Sequence, residues 1–158
     1  DTTGSMDLSI DRVADHVAEL ARNLKEDTVI RLVLFGDHRD QYTVYVHRVS
    51  ESVDEIANAI RFAPRTDGDD VPEALEDALH SVNEEIAAMR PSALHVVVFT
   101  DAIPHTPEKC PKGYNFGKEL ERLRASGARL SIVGCPKPPD DPAADFFTCS
   151  LAEHSWAP

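Results

Sequence analysis

The chain has 158 residues and carries 16 Lys plus Arg against 28 Asp plus Glu, a formal charge of −12. Such a surface repels phosphate backbones and anionic membranes, so neither nucleic acid nor membrane is an expected partner. The length suits one domain, 1–158, with a sizeable core. No run approaches the roughly 18 apolar residues of a membrane span. Cys110, Cys135 and Cys149 leave at least one thiol unpaired and show no Cys-x-x-Cys spacing, which points to a reducing, cytoplasmic compartment.

Ile10, Val13, Val17, Leu20, Ala21 and Leu24 recur at helical spacing and predict an amphipathic helix over 10–24. TVIRLVLFGD, 28–37, is an apolar, β-branched run closed by a glycine, as a strand covered on both faces requires. YTVYVHRV, 42–49, alternates, predicting a strand nearer an edge joined through the polar turn 37–41. A short helix is expected over 53–60, then a polar loop over 65–70. Pro72 is placed as the first residue of a long helix whose stripe is Leu75, Leu79, Val82, Ile86 and Met89, ending near Pro91. LHVVVFTD, 94–101, predicts another buried strand ending on Thr100 and Asp101. A helix over 116–126 is stopped by Gly127, RLSIVG at 129–134 predicts a strand, and 143–152 a last helix. Helices alternating with apolar strands imply a mostly parallel sheet with helices on both faces. Ligands of such doubly wound folds sit beyond the carboxyl ends of the strands, where Asp37, the 67–70 acidic group, Asp101 and the opening DTTGS all fall.

In an extended loop Asp1, Thr3 and Ser5 point the same way and present one carboxylate and two hydroxyls to a common point. Such oxygens suit a hard cation, Mg²⁺ or Mn²⁺, rather than zinc. The alternative is that Ser5 or Asp7 simply caps the following helix.

DTTGSM, then TDGDDVPEAL at 66–75, then VVVFTDA at 96–102, in this order and context, resembles the von Willebrand factor type A domain with its metal-ion-dependent adhesion site. GARLSIVGC and DFFTCSLAEHS look like that family's fifth strand and last helix. The resemblance implies a Rossmann-like α/β fold and a divalent cation, Mg²⁺ or else Mn²⁺ or Ca²⁺. It implies Asp1, Thr3 and Ser5 as the first metal loop and Asp101 as the acidic residue of the third. In the second loop TDGDDVPE looks like a TGGGDxPE variant with Asp67 and Asp69 in place of glycines; Asp70 is the favoured ligand and Thr66 the alternative. The implied function is a protein-binding module without catalysis, its cation bridging to an Asp or Glu of a partner protein. The family's first, central strand precedes this loop and a final edge strand follows the last helix. Both are expected to be missing from the chain, as in a fragment of a longer protein.

Other readings are a metal-dependent, phosphatase-like hydrolase and a structural scaffold with an empty site. An aspartic-protease loop, Asp-Thr-Gly-Ser, is one residue shorter than DTTGS, and a haloacid-dehalogenase-like phosphatase needs an acid where Thr3 stands. His80 and His95 are expected as surface or packing residues, and Glu51, Asp54, Glu55, Glu84 and Glu85 as solvated helix faces. His105 and Cys110 are expected to flank a loop beside the metal and shape a partner's contact, and zinc is not expected there because no Cys or His partner stands at ligand spacing.

Overall fold

The computed structural model describes residues 1–25, 28–47, 52–68 and 72–135. A 3₁₀ turn, Gly4–Leu8, leads into α1, Ile10–Arg22. Then follow β1 (Leu32–Phe35), β2 (Val44–His47), α2 (Val53–Arg61), β3 (Pro72–Glu73) and α3 (Leu75–Met89). β4 (His95–Thr100), β5 (Ile103–Pro104), α4 (Phe116–Ala125) and β6 (Arg129–Gly134) complete the described elements. β4 and β6 run parallel from His95↔Arg129 to Thr100↔Gly134. β3 and β5 are a parallel pair, and β1 and β2 an antiparallel hairpin.

Period-two alternation decides which face each helix covers. Val33 and Phe35 of β1, Val96 and Val98 of β4, and Leu130 and Ile132 of β6 pack with Leu75, Leu79, Leu120 and Leu123 of α3 and α4. Leu32 and Phe99, one residue out of phase, pack instead with Met6, Ile10, Val13, Ile56 and Ile60 beneath α1 and α2. The helices therefore lie on both faces of an α/β framework, as the alternating sequence implied. Arg61 ties α2 to α1 through Asp15, with Asp11 at 3.9 Å.

The helix ends follow from local chemistry. Arg90 adopts a left-handed φ of 49° just before Pro91, where the chain leaves the helical region. Gly127, at φ 78°, turns the chain from α4 into β6, a conformation that costs glycine nothing. Asn115 caps α4 by accepting from the Lys118 N–H at 3.0 Å.

Three expectations need correction. The strand predicted over 28–37 is confined to Leu32–Phe35; Val29 is exposed, so the apolar run is longer than the sheet that buries it. Pro72 does not start the long helix. It and Glu73 pair with Ile103 and Pro104, proline's fixed φ being compatible with a strand end, and the helix starts at Leu75. Neither Ser5 nor Asp7 caps α1, which is preceded by Ser9, while Asp7 pairs with Arg65 at 2.7 Å. The helix expected over 143–152 lies outside the described residues, as do Arg48 and Val49 of the second strand.

Candidate metal centre

The opening residues are held between two strands. The Thr2 N–H donates to the Phe35 carbonyl at the end of β1 (2.9 Å), and the Asp1 amino group to the Phe99 carbonyl in β4 (3.2 Å). The Thr2 hydroxyl meets both the Phe35 carbonyl and Tyr42, fastening the loop from beneath.

From there a chain of oxygens runs to the end of β4. Asp1 Oδ1 accepts from the Thr3 hydroxyl at 2.8 Å and the Thr3 N–H at 3.1 Å. The Thr3 and Ser5 hydroxyls lie 3.2 Å apart, and Ser5 donates to Asp101 Oδ1 at 3.0 Å. The convergence arises differently from the expected extended loop: Thr3 is extended, but Gly4 begins a 3₁₀ turn that carries Ser5 back over the site. Asp101 and Thr3 are each 1% exposed whereas Ser5 is exposed, so the group opens to solvent on one side.

Thr100, absent from the sequence-derived set, donates to Asp1 Oδ2 at 2.6 Å and accepts from the Ala102 N–H at 3.1 Å. It holds the carboxylate whose other oxygen faces Thr3. Cys135 lies close by, but burial first and the Asp101 charge second push its thiol up to about 11, leaving carboxylates and hydroxyls as the donors. Adjacent ligands around an ion with metal–oxygen bonds of about 2.0–2.1 Å are about 2.9 Å apart. The contacts of 2.8, 3.2 and 3.0 Å match that spacing, so an all-oxygen set fits a Mg²⁺-sized cation.

Thr66 reaches the same neighbourhood through its backbone. It forms a parallel bridge with Thr3, and its N–H donates to the Thr2 carbonyl at 3.2 Å. Its buried hydroxyl has no hydrogen-bond partner among the described residues and lies over Gly36, where a Cβ would stand 2.5 Å from it. Asp67 is exposed; Asp69 and Asp70 lie outside the described residues.

The chain matches the family model of the von Willebrand factor type A domain over residues 1–149. It belongs to the von Willebrand factor type A domain family. Comparison with curated proteins finds no match. Type A domains are commonly metal-dependent protein-interaction modules rather than enzymes, and often bind a divalent cation.

This type A domain also gathers a second set of ligand atoms that the sequence did not disclose. His38, after β1, Glu76 and Asp77, in the first turn of α3, and Cys110, in the loop before α4, bring four ligand atoms within 4.8 Å of one another. His38 Nε2 lies 3.0 Å from Glu76 Oε1 and 3.6 Å from Asp77 Oδ2, to which the Cys110 thiol donates at 3.3 Å. His105 Nε2 lies 3.3 Å from Asp37 Oδ1, and the His105 backbone N–H donates to Glu76 Oε2 at 3.0 Å. Lys112 pairs with Asp77 Oδ1 at 2.7 Å, a contact that raises the lysine's pKa.

The expectation that His105 and Cys110 shape a partner's contact is thus corrected: both are buried, and they bond to Glu76 and Asp77 of α3. So is the expectation that no Cys or His partner stands near them, because the fold brings His38 to Cys110 from another segment. His80 is a packing residue, as expected: half-buried, it contacts Glu119 at 3.1 Å and stacks on Tyr114. His95 is exposed, as expected.

Proposed function

We propose that this domain is a metal-dependent protein-binding module. Asp1, Thr3, Ser5 and Asp101 hold a divalent cation, with Asp70 or Thr66 from the second loop as a further ligand. The observation that carries the reading is the chain of contacts from Asp1 through Thr3 and Ser5 to Asp101, oxygens brought together from positions 1 and 101. Mg²⁺ takes about six oxygens, and Mn²⁺ or Ca²⁺ accepts similar donors. Side chains that supply only part of the shell leave positions that water fills until an Asp or Glu of a partner replaces it. The exposed side at Ser5 is where that carboxylate enters. The bound ion supplies the positive charge that an acidic surface of net −12 otherwise lacks toward such a partner. Because Asp1 and Asp101 offset part of the ion's charge, an exposed Asp67 nearby tunes the site toward holding the ion firmly and the partner's carboxylate more weakly.

Selection of displayed random peptides on the full chain in Mg²⁺ tests this. Binders should carry an Asp or Glu, be released by EDTA, and lose affinity when that residue becomes Asn or Gln. Peptides that bind equally well in excess chelator, or that tolerate the amide, would remove the metal bridge from the account.

A further inference from the structure

We propose that His38, Glu76, Asp77 and Cys110 form a second metal site, built for a zinc-class transition ion and separate in chemistry from the all-oxygen group at Asp1 and Asp101. Bonds of about 2.0–2.3 Å in a tetrahedral zinc site put neighbouring ligand atoms about 3.3–3.8 Å apart. The His38–Glu76, His38–Asp77 and Cys110–Asp77 separations of 3.0, 3.6 and 3.3 Å are close to those edges. The other pairs fall within 4.8 Å, so sub-ångström to ångström shifts close the shell.

Donor chemistry selects the ion. An imidazole nitrogen and a thiolate beside two carboxylates favour zinc or cobalt over Mg²⁺, which demands hard oxygens and retains its waters. Charge points the same way. Asp37, Glu76 and Asp77 are all buried here; Lys112 reaches Asp77, and the rings of His38 and His105 lie against Glu76, Asp77 and Asp37. Three buried carboxylates gathered so closely favour a divalent ion bound among them.

The surrounding groups also resemble a prepared shell. His105 holds the second oxygen of Glu76 through its backbone N–H, reaches Asp37 with its ring, and sets that ring at a tilt 4.7 Å from the ring of His38. Such outer partners fix the orientation of ligands. Glu76 and Asp77 stand on a helix of 15 residues, a rigid base for the two looped ligands. With four protein ligands the shell is closed, which makes the ion structural. It would clamp the turn after β1 and the loop after β5 onto α3. That loop is the continuation of Asp101, whose own site would therefore gain rigidity from the clamp.

The test uses the full chain, stripped of metal and then given Co²⁺ in excess Mg²⁺. The parent should bind one equivalent and develop a thiolate-to-cobalt charge-transfer band with the visible absorption of tetrahedral cobalt. Zinc should displace it. Cys110→Ser, nearly isosteric, should lose the charge-transfer band, and both it and His38→Gln should weaken Zn²⁺ binding by at least about tenfold. Asp1→Ala, Asp101→Ala should keep the band, which separates this site from the Mg²⁺ site and lets either reading fail alone. Circular dichroism checks that each variant folds, and His38→Gln decides the matter if Cys110→Ser does not. A parent that takes up no Co²⁺ or Zn²⁺ in excess Mg²⁺, or a band that survives in Cys110→Ser, overturns the proposal, because the network would then be a hydrogen-bonded clasp without an ion.

Discussion

Mg²⁺ or Mn²⁺ at about 100 times its dissociation constant should stabilise the full chain by about 2.7 kcal/mol relative to a chelator-treated sample, and the Asp1→Ala, Asp101→Ala double variant should show no gain. For a domain of this size the gain corresponds to a rise in melting temperature of roughly 5–10 °C. The cause is linkage: the ion binds oxygens that only the folded chain brings together, since Asp101 is far along the sequence from Asp1, Thr3 and Ser5. The difference between metal and chelator is the readout, because the variant also loses structure. Asp1 accepts from the Thr3 N–H and from the Thr3 and Thr100 hydroxyls, and deleting an acceptor for buried donors costs about 1–3 kcal/mol even without metal. A gain of the same size in parent and variant would place the stabilising ion elsewhere.

Leu123→Ala should lower the unfolding free energy by about 2–5 kcal/mol, measured by urea denaturation at fixed metal concentration. Leu123 is 0% exposed and sits where α4 faces α3 and the sheet, among Leu79, Leu120, Val98 and Leu130. Removing three carbons there leaves a cavity that two helices and a sheet cannot close without losing their own contacts. Leu8, 94% exposed on the 3₁₀ turn, is the control, and Leu8→Ala should change stability by no more than about 0.5 kcal/mol. An effect below about 1 kcal/mol at Leu123 would mean that the two layers are not packed as described.

The order of helices and strands was legible because the apolar periods are strong. The helices predicted over 10–24, 53–60 and 116–126 end within about two residues of α1, α2 and α4, a difference ordinary for fraying ends. The short strand at Pro72–Glu73 was not legible, since two residues paired to Ile103 and Pro104 carry no period of their own. The grouping of Asp1, Thr3, Ser5 and Asp101 was readable because the first three fall within one short loop and Asp101 directly follows a marked strand. Thr100 was missed although it is adjacent to Asp101; a strand-end hydroxyl beside an acid is the signal that marks it. The His38, Glu76, Asp77 and Cys110 group was hidden more deeply. Its members come from three separate segments, and only the packing of the β1–β2 turn and the β5–α4 loop onto α3 unites them. Their common feature in the sequence is position, since each stands beyond the carboxyl end of a strand or in the first turn of the helix that follows one.

The measurement that tests the metal bridge most directly is water-proton relaxation of the full chain titrated with Mn²⁺ in the presence of saturating Zn²⁺, followed by a carboxylate such as glutarate. The account predicts a tightly bound Mn²⁺ with enhanced relaxation from water on its open positions, a fall in that enhancement as the carboxylate replaces the water, and no enhancement in Asp101→Ala. Enhancement that persists in Asp101→Ala, or that glutarate leaves unchanged at every concentration, would contradict it.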